Sequence, residues 1–310
     1  MTYWKKFFLT YFKGMGMGGA DIVPGVSGGS IALITGIYEE LLDSIKSIDL
    51  TALKLLISGK FKMFWSTING SFLLAVFLGI LTSLFTLSRL LTYLIEYHPI
   101  PLWSFFCGLI LISAIWILRD IKRWTIIVII AVVIGIIVAY FITELPPITS
   151  PESPIFTFFS GAIAICAMIL PGISGSFILL ILGQYEPILK ALNDRNFLTL
   201  FLFALGCLVG LLSFSRLISY LLHHYHAITL AFLSGIMLGS INKIWPWKNV
   251  ISYRMSSSGV EKPFLTENVM PGEYALITGE DPQIMMAVIT FVVGFLLVIV
   301  IEQAANYLKK

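Results

Sequence analysis

Two short stretches hold the residues best placed to do chemistry. Pro24-Gly25-Val26-Ser27-Gly28-Gly29-Ser30 opens an apolar run that ends in Tyr38-Glu39, and Pro171-Gly172-Ile173-Ser174-Gly175-Ser176 opens a second that ends in Tyr185-Glu186. The copies lie 147 residues apart without a gap, and ten of the sixteen positions from Pro24 to Glu39 are identical, which marks an internal duplication. A run of Pro, Gly and Ser breaks a helix. At membrane depth such irregular backbone survives only where protein buries it or where it lines a cavity. New helices are expected to start at Ser27 and Ser174, with Gly28, Gly29, Ser30, Gly175 and Ser176 offering unpaired amides. Each start carries about half a positive charge. Two of them facing one cavity describe an anion site. The competing reading is a kinked transmembrane helix that binds nothing.

Arginine adds to the anion chemistry. Ser88-Arg89-Leu90 returns as Ser215-Arg216-Leu217, at an offset of 127 that Gly79 and Gly206, Phe105 and Phe232, and Gly108 and Gly235 share. An arginine inside a span either faces a cavity or snorkels to the surface, and its planar fork suits phosphate or carboxylate. Asp21, three residues before the first Pro-Gly, has Met168 as its counterpart. It is a candidate for coupling to a cation or proton, with a helix cap or an interfacial place as the alternatives. Glu39 and Glu186 form a matched pair for which coupling and a solvated, ion-paired role are both open. His98, His223, His224 and His226 fall in short loops, no carboxylate–histidine cluster has metal spacing, and no Ser or Cys stands beside a base. The chain therefore reads as a transporter and not an enzyme, with a lipid phosphatase disfavoured. No metal or cofactor is expected, and coupling to protons or sodium stays open.

These residues need a membrane scaffold. The 310 residues are 58% hydrophobic and 12% charged, with a mean hydropathy of +0.93, where a soluble domain carries about 25% charged residues. The expected fold is an all-α polytopic membrane protein of two inverted-topology repeats, each a re-entrant broken-helix hairpin plus three transmembrane helices. The first repeat, 1–150, holds an interfacial start at 1–13, a re-entrant segment at 15–45, a surface linker at 46–70 and spans near 71–96, 101–118 and 124–143. The second, 151–310, holds a re-entrant segment at 155–188 and spans near 197–222, 227–243 and 283–303, with a polar loop at 243–282 whose turns fall at Ser256-Ser257-Ser258-Gly259 and Pro271-Gly272. Each helix after a break is expected to run roughly 15 residues, or about 22 Å. With both termini cytoplasmic, 12 Lys and Arg fall inside and six outside. Full crossing by 15–45 would turn the Lys-rich linker outward. Cys107, Cys166 and Cys207 read as core residues, and no cleavable signal peptide is expected after Lys5, Lys6 and Lys13. No basic run interleaved with aromatics suggests nucleic acid.

The stretch from Gly18 to Gly29, Gly-Gly-Ala-Asp-Ile-Val-Pro-Gly-Val-Ser-Gly-Gly, with its partial echo from Pro171 to Gly175, resembles the bacterial polyprenyl-phosphate transporter family. The similarity covers nearly the whole chain. It implies a multi-pass protein of the bacterial cytoplasmic membrane that returns undecaprenyl phosphate, the lipid carrier of cell-wall synthesis, from the outer to the inner leaflet. The partners implied are undecaprenyl phosphate and membrane lipids, with homo-oligomer formation left open. The candidate phosphate ligands are Ser27, Gly28, Gly29, Ser30, Arg89, Ser174, Gly175, Ser176 and Arg216, and the candidate coupling acids are Asp21, Glu39 and Glu186. A transporter or channel for a small soluble anion is the alternative.

Overall fold

A computed structural model describes residues 3–23, 25–148, 151, 153–255 and 261–309. Pro24, Glu152 and the expected turn at Ser256–Gly259 lie outside the described residues. The chain begins with α1 (Tyr3–Ile22), α2 (Gly28–Ile34), α3 (Tyr38–Lys46), α4 (Leu50–Ile57) and α5 (Phe61–Thr67). It continues through α6 (Gly70–Thr86), α7 (Ser88–Tyr97), α8 (Pro99–Arg119) and α9 (Ile126–Glu144). Then follow α10 (Pro154–Ile169), α11 (Gly175–Ile181), α12 (Tyr185–Asn193), α13 (Phe197–His224) and α14 (His226–Ser240), which ends in a 3-10 turn at Ile241–Ile244. A hairpin of β1 (Lys248–Met255) and β2 (Glu261–Asn268), then α15 (Pro271–Thr278) and α16 (Ile284–Lys309), complete it.

Among the described residues four helices are long and apolar enough to cross a membrane: α8, α9, α13, and α14 with its turn. The pair α5–α6, bent by 70°, and the pair α11–α12, bent by 103°, bring the number to six if each is one span. Large apolar side chains of α9 such as Ile126, Ile130, Ile134 and Phe141 are exposed, as a lipid-facing surface requires.

Several elements differ from the sequence reading, each for a local reason. Of the interfacial start expected at 1–13, residues 3–13 are the first half of a continuous α1. The linker at 46–70 is two short helices. Asp49 caps α4 by accepting from the Ala52 amide at 2.9 Å, and Gly59, at φ +69°, separates it from α5. Leu50, Leu53, Ile57, Phe61 and Trp65 stay exposed beside Lys54, Lys60 and Lys62, a composition that suits a membrane surface. The expected span at 71–96 breaks at Leu87 into α6 and α7. The hydroxyls of Thr82 and Thr86 donate back to the carbonyls of Leu78 and Thr82, and such back-bonding bends helices. The loop at 243–282 contains the hairpin and α15.

The helices after the breaks are seven residues long, about 10 Å, and not fifteen. Both end the same way. The amides of Gly36 and Ile37 donate to the carbonyls of Leu33 and Ala32, and those of Gly183 and Gln184 donate to Leu180 and Leu179. These are paired Schellman closures, which need a glycine in the left-handed region, and Gly36 and Gly183 stand at φ +68° and +64°.

Four helix pairs make the most extensive packing: α1 with α6, α10 with α13, α8 with α16, and α9 with α14. Each seam depends on small residues that let backbones touch. A Cβ on Gly79 would run into the carbonyl of Tyr11, and one on Gly206 into that of Phe158. The same holds for Gly108 against Phe291, Gly294 against Phe105, Gly135 against Phe232 and Gly235 against Val132. The seams therefore recur at matching places in the two halves. In two of them, a helix from one half pairs with a helix from the other.

Gly79→Val and Gly206→Val should each cost about 1–3 kcal/mol or more through overpacking. A thermal melt of the detergent-solubilised protein checks this, with Gly272→Ala, which meets open space, leaving the midpoint in place.

Candidate functional site

The two breaks meet in the middle of the chain's packing. Val23 and Val26 join a core with Phe106, Ile110, Met237 and Ile244, while Ala32 and Tyr38 join another with Phe72, Val76, Ile218 and Leu222. Breaking α10 leaves its last carbonyls without intrahelical donors, and the first break supplies them. Ser27 Oγ lies 3.1 Å from the carbonyls of both Met168 and Leu170, and the Tyr38 hydroxyl donates to that of Ile169 at 3.2 Å. In return Ser30 Oγ accepts from the Gly172 amide at 2.8 Å. Gly29 has no room for a Cβ because the Ile169 carbonyl stands there. Gly25 and Gly172 take φ +88° and +89°, the value a Pro-Gly turn requires.

The two helix starts differ in what occupies them. Ser27 caps α2 by accepting from the Gly29 amide at 3.1 Å, and Asp21 Oδ1 accepts from the Gly28 amide at 2.7 Å. A carboxylate thus already fills the anion position at α2, and Gly28 lacks a Cβ because Asp21 lies against it. Ser27, Gly28, Gly29 and Ser30 are all buried. At α11 the matching contact is Gly175 against the Met168 side chain, which accepts nothing. Ser174 and Ser176 share a hydroxyl contact of 2.8 Å, and Ser174 caps no amide. The amides of Gly175, Ser176 and Phe177 meet no acceptor among the described residues. Gly175 is half-buried and Ser176 exposed.

The other predicted residues lie away from the breaks. Arg89 on α7 and Arg216 on α13 are exposed, and no ion pair joins either to the broken segments among the described residues. Arg216 instead lies near Asp49, whose carboxyl is held below the usual range first by the Ala52 amide and further by this guanidinium. Glu39 pairs with His226 at 3.0 Å, and Asp43 lies 3.5 Å from His223 while accepting from Ser219 at 2.6 Å. These contacts dock α3 on the α13–α14 corner. Glu186 lines a cavity of about 820 Å³ with Gln184, Lys190 and Asp194. A smaller cavity of about 460 Å³ occupies the matching place in the first half, around Lys6, Thr10 and Asn69, where Glu40 accepts from Lys6 at 2.9 Å and from Asn69 at 3.0 Å.

The cation that does reach the breaks is one the sequence pattern did not single out. Lys243 sets its Nζ 4.3 Å from the centroid of Phe177, and its Cγ is 3.1 Å from where a Cβ on Gly25 would stand. Lys248 donates to the Lys243 carbonyl at 2.6 Å. Burial pushes its ammonium down to about 8, and the Lys243 charge acts the same way. Neither lysine repeats in the other half, where Trp116 and Ile121 stand at the offset of 127, so the duplication gave no signal for them.

Residues 17–262, which include both breaks and the Lys243 turn, match the family described as VCA0040-like, undecaprenyl phosphate translocase-like. The chain belongs to this family. Among its relatives, a polyprenyl-phosphate transporter of Vibrio cholerae serotype O1 is 46% identical over 97% of this chain and 98% of its own. A polyprenyl-phosphate transporter of Staphylococcus aureus is 34% identical over 77% of this chain and 86% of its own. No solved structure matches the chain. The family match and the apolar helices agree in making this a multi-pass membrane protein.

The two serines at the breaks should differ in weight. Ser27→Ala removes a cap and the one hydroxyl proton shared between the Met168 and Leu170 carbonyls, and should cost about 1–3 kcal/mol. Ser174→Ala should cost less than about 0.5 kcal/mol. Paired melts of the two variants check this.

Proposed function

We propose that the protein carries undecaprenyl phosphate from the outer to the inner leaflet of the bacterial cytoplasmic membrane, recycling the lipid carrier of cell-wall synthesis. Family membership and the names of the relatives support a polyprenyl phosphate as the substrate. The observation that carries the reading is the unequal pair of helix starts. Asp21 fills the anion position at α2, while the amides of Gly175, Ser176 and Phe177 at α11 stand open. A phosphate monoester carries up to two negative charges and needs donors wherever it leaves water. Discontinuous helices whose N-termini face the substrate meet that need in transporters.

In this reading Ser174, Gly175 and Ser176 receive the phosphate in the conformation described. Ser27, Gly28, Gly29 and Ser30 receive it after Asp21 lets go of the Gly28 amide, which makes Asp21 the coupling acid. The halves 1–150 and 151–310 sit in opposite orientations with both broken segments re-entrant and both termini cytoplasmic. The matched glycine seams and the 12-to-6 division of basic residues support that arrangement. Glu39 holds α3 against the α13–α14 corner, and its counterpart Glu186 lines the larger of the two matching cavities. Exchange of these two conditions is the proposed transport step. Arg89 and Arg216, exposed at matching places, meet the head group on the outer and inner sides. The prenyl tail stays in lipid throughout, so the protein does no chemistry on its substrate.

Cysteines introduced at 46–70 and at 250–280, in a background without the three native ones, should label from opposite faces of the membrane. Labelling from one face ends the inverted arrangement. In vesicles carrying undecaprenyl phosphate, Arg89→Gln and Arg216→Gln should each lower transport at least about tenfold, with Lys restoring little because it lacks the bidentate fork. Parental rates in both variants would remove the arginines from the path. An inactive parent would remove the substrate assignment.

A further inference from the structure

We infer that Lys243 and Lys248, with the apolar slot beside them, form a docking site for a prenyl lipid phosphate, the phosphate on the two ammonium groups and the first isoprene units in the slot. The inference rests on the proposed substrate and adds a site outside the duplicated motif.

The turn at Ile241–Ile244 presses against the first break. Ile244 is fully buried in the core that holds Val23 and Val26, and its carbonyl accepts from Cys107 Sγ at 3.3 Å. This fixes Lys243 between the two breaks, its stem on Gly25 and its Nζ over the ring of Phe177. Phe177 is the third residue of α11, so the ammonium rests on a side chain of the helix whose first amides are open. Lys248 is tied to the same turn through the Lys243 carbonyl. Both side chains are half-buried. Glu144 is the carboxylate that acts on both, but it accepts from Asn242 at 2.7 Å and makes no ion pair with either lysine among the described residues. Two cations and one acid leave a surplus positive charge in a partly desolvated place, where an anion is the missing partner.

The neighbouring slot explains why that anion is a lipid. It has a volume of about 380 Å³ between α8 and α16, with walls of Cys107, Ile241, Trp245, Trp247 and Phe291. Trp247 of the slot directly precedes Lys248, and Ile241 and Trp245 lie two residues to either side of Lys243, so the apolar and cationic parts adjoin. The tryptophans are held in place. Trp245 Nε1 donates to the Val269 carbonyl at 2.9 Å, Trp247 Nε1 to that of Pro282 at 2.8 Å, and the rings meet at 5.6 Å. A wall fixed in advance costs little entropy when a flexible chain settles on it. Val288, part of the lining, is 56% exposed, so the slot opens at the surface of the molecule along the apolar α16. An inorganic phosphate would use the lysines and leave the slot empty. A prenol would use the slot and leave the lysines uncompensated.

The test uses the full chain in nanodiscs, with undecaprenyl phosphate, undecaprenol and inorganic phosphate as probes. Saturating undecaprenyl phosphate should protect Lys243 and Lys248 of the parent from an amine-acylating reagent, read by peptide mass spectrometry, while exposed Lys54 and Lys62 react as before. Lys243→Gln and Lys248→Gln should each weaken undecaprenyl phosphate binding about tenfold or more and leave undecaprenol binding unchanged. Val288→Trp, which narrows the slot, should weaken both lipids. Inorganic phosphate should protect neither lysine at concentrations where the lipid protects both. If the parent binds undecaprenyl phosphate but both lysines still react fully, the inference is overturned and the proposed substrate stands. Protection by inorganic phosphate alone also overturns it. Failure of the parent to bind the lipid at all overturns the proposed substrate, and the docking site with it. The protection experiment needs no variant, so a misfolded Lys243→Gln does not affect its outcome.

Discussion

A backbone carbonyl or amide at membrane depth must find a partner inside the protein, because lipid offers none. The two Pro-Gly breaks create many such groups within a small volume, and the molecule is arranged around satisfying them. Ser27 and Tyr38 serve the carbonyls that end α10, Ser30 serves the Gly172 amide, and Asp21 serves Gly28. The breaks are therefore a single hydrogen-bonded unit built from residues about 140 apart in the chain. What that unit leaves unserved among the described residues is the first amides of α11.

Such a unit holds only if the surrounding helices hold it from both sides. The glycine seams do so at little cost in side-chain entropy, because a backbone-to-backbone contact orders no rotamers. Two seams, α1 with α6 and α10 with α13, lie within a half. The other two, α8 with α16 and α9 with α14, exchange helices between halves. The second kind means that neither half can move without repacking against the other.

Two nearly matching halves are nonetheless unequal where it matters. Asp21 faces Met168 across the duplication, and Lys243 faces Trp116. Equal halves would offer an anion the same binding energy at both ends of a path. Unequal ones bind it with different strength, so occupancy of one end is favoured in a given conformation.

Much of this was legible in the residues alone. The repeated Pro-Gly-x-Ser-Gly stretches, their spacing and the apolar composition determined a membrane protein with two broken segments, because helix breaking and bilayer solvation are local properties of short stretches. The glycines that close α2 and α11 after seven residues were in view within the same motif, at Gly36 and Gly183. The partners of those segments were not legible. That Asp21 would occupy the Gly28 amide, that Ser27 would reach Met168 and Leu170, that Arg216 would lie near Asp49 and that Lys243 would lean on Phe177 all depend on how distant helices cross. Helix crossings follow from the glycine seams and the packed cores, so the pairing of these charges was decided by the tertiary structure.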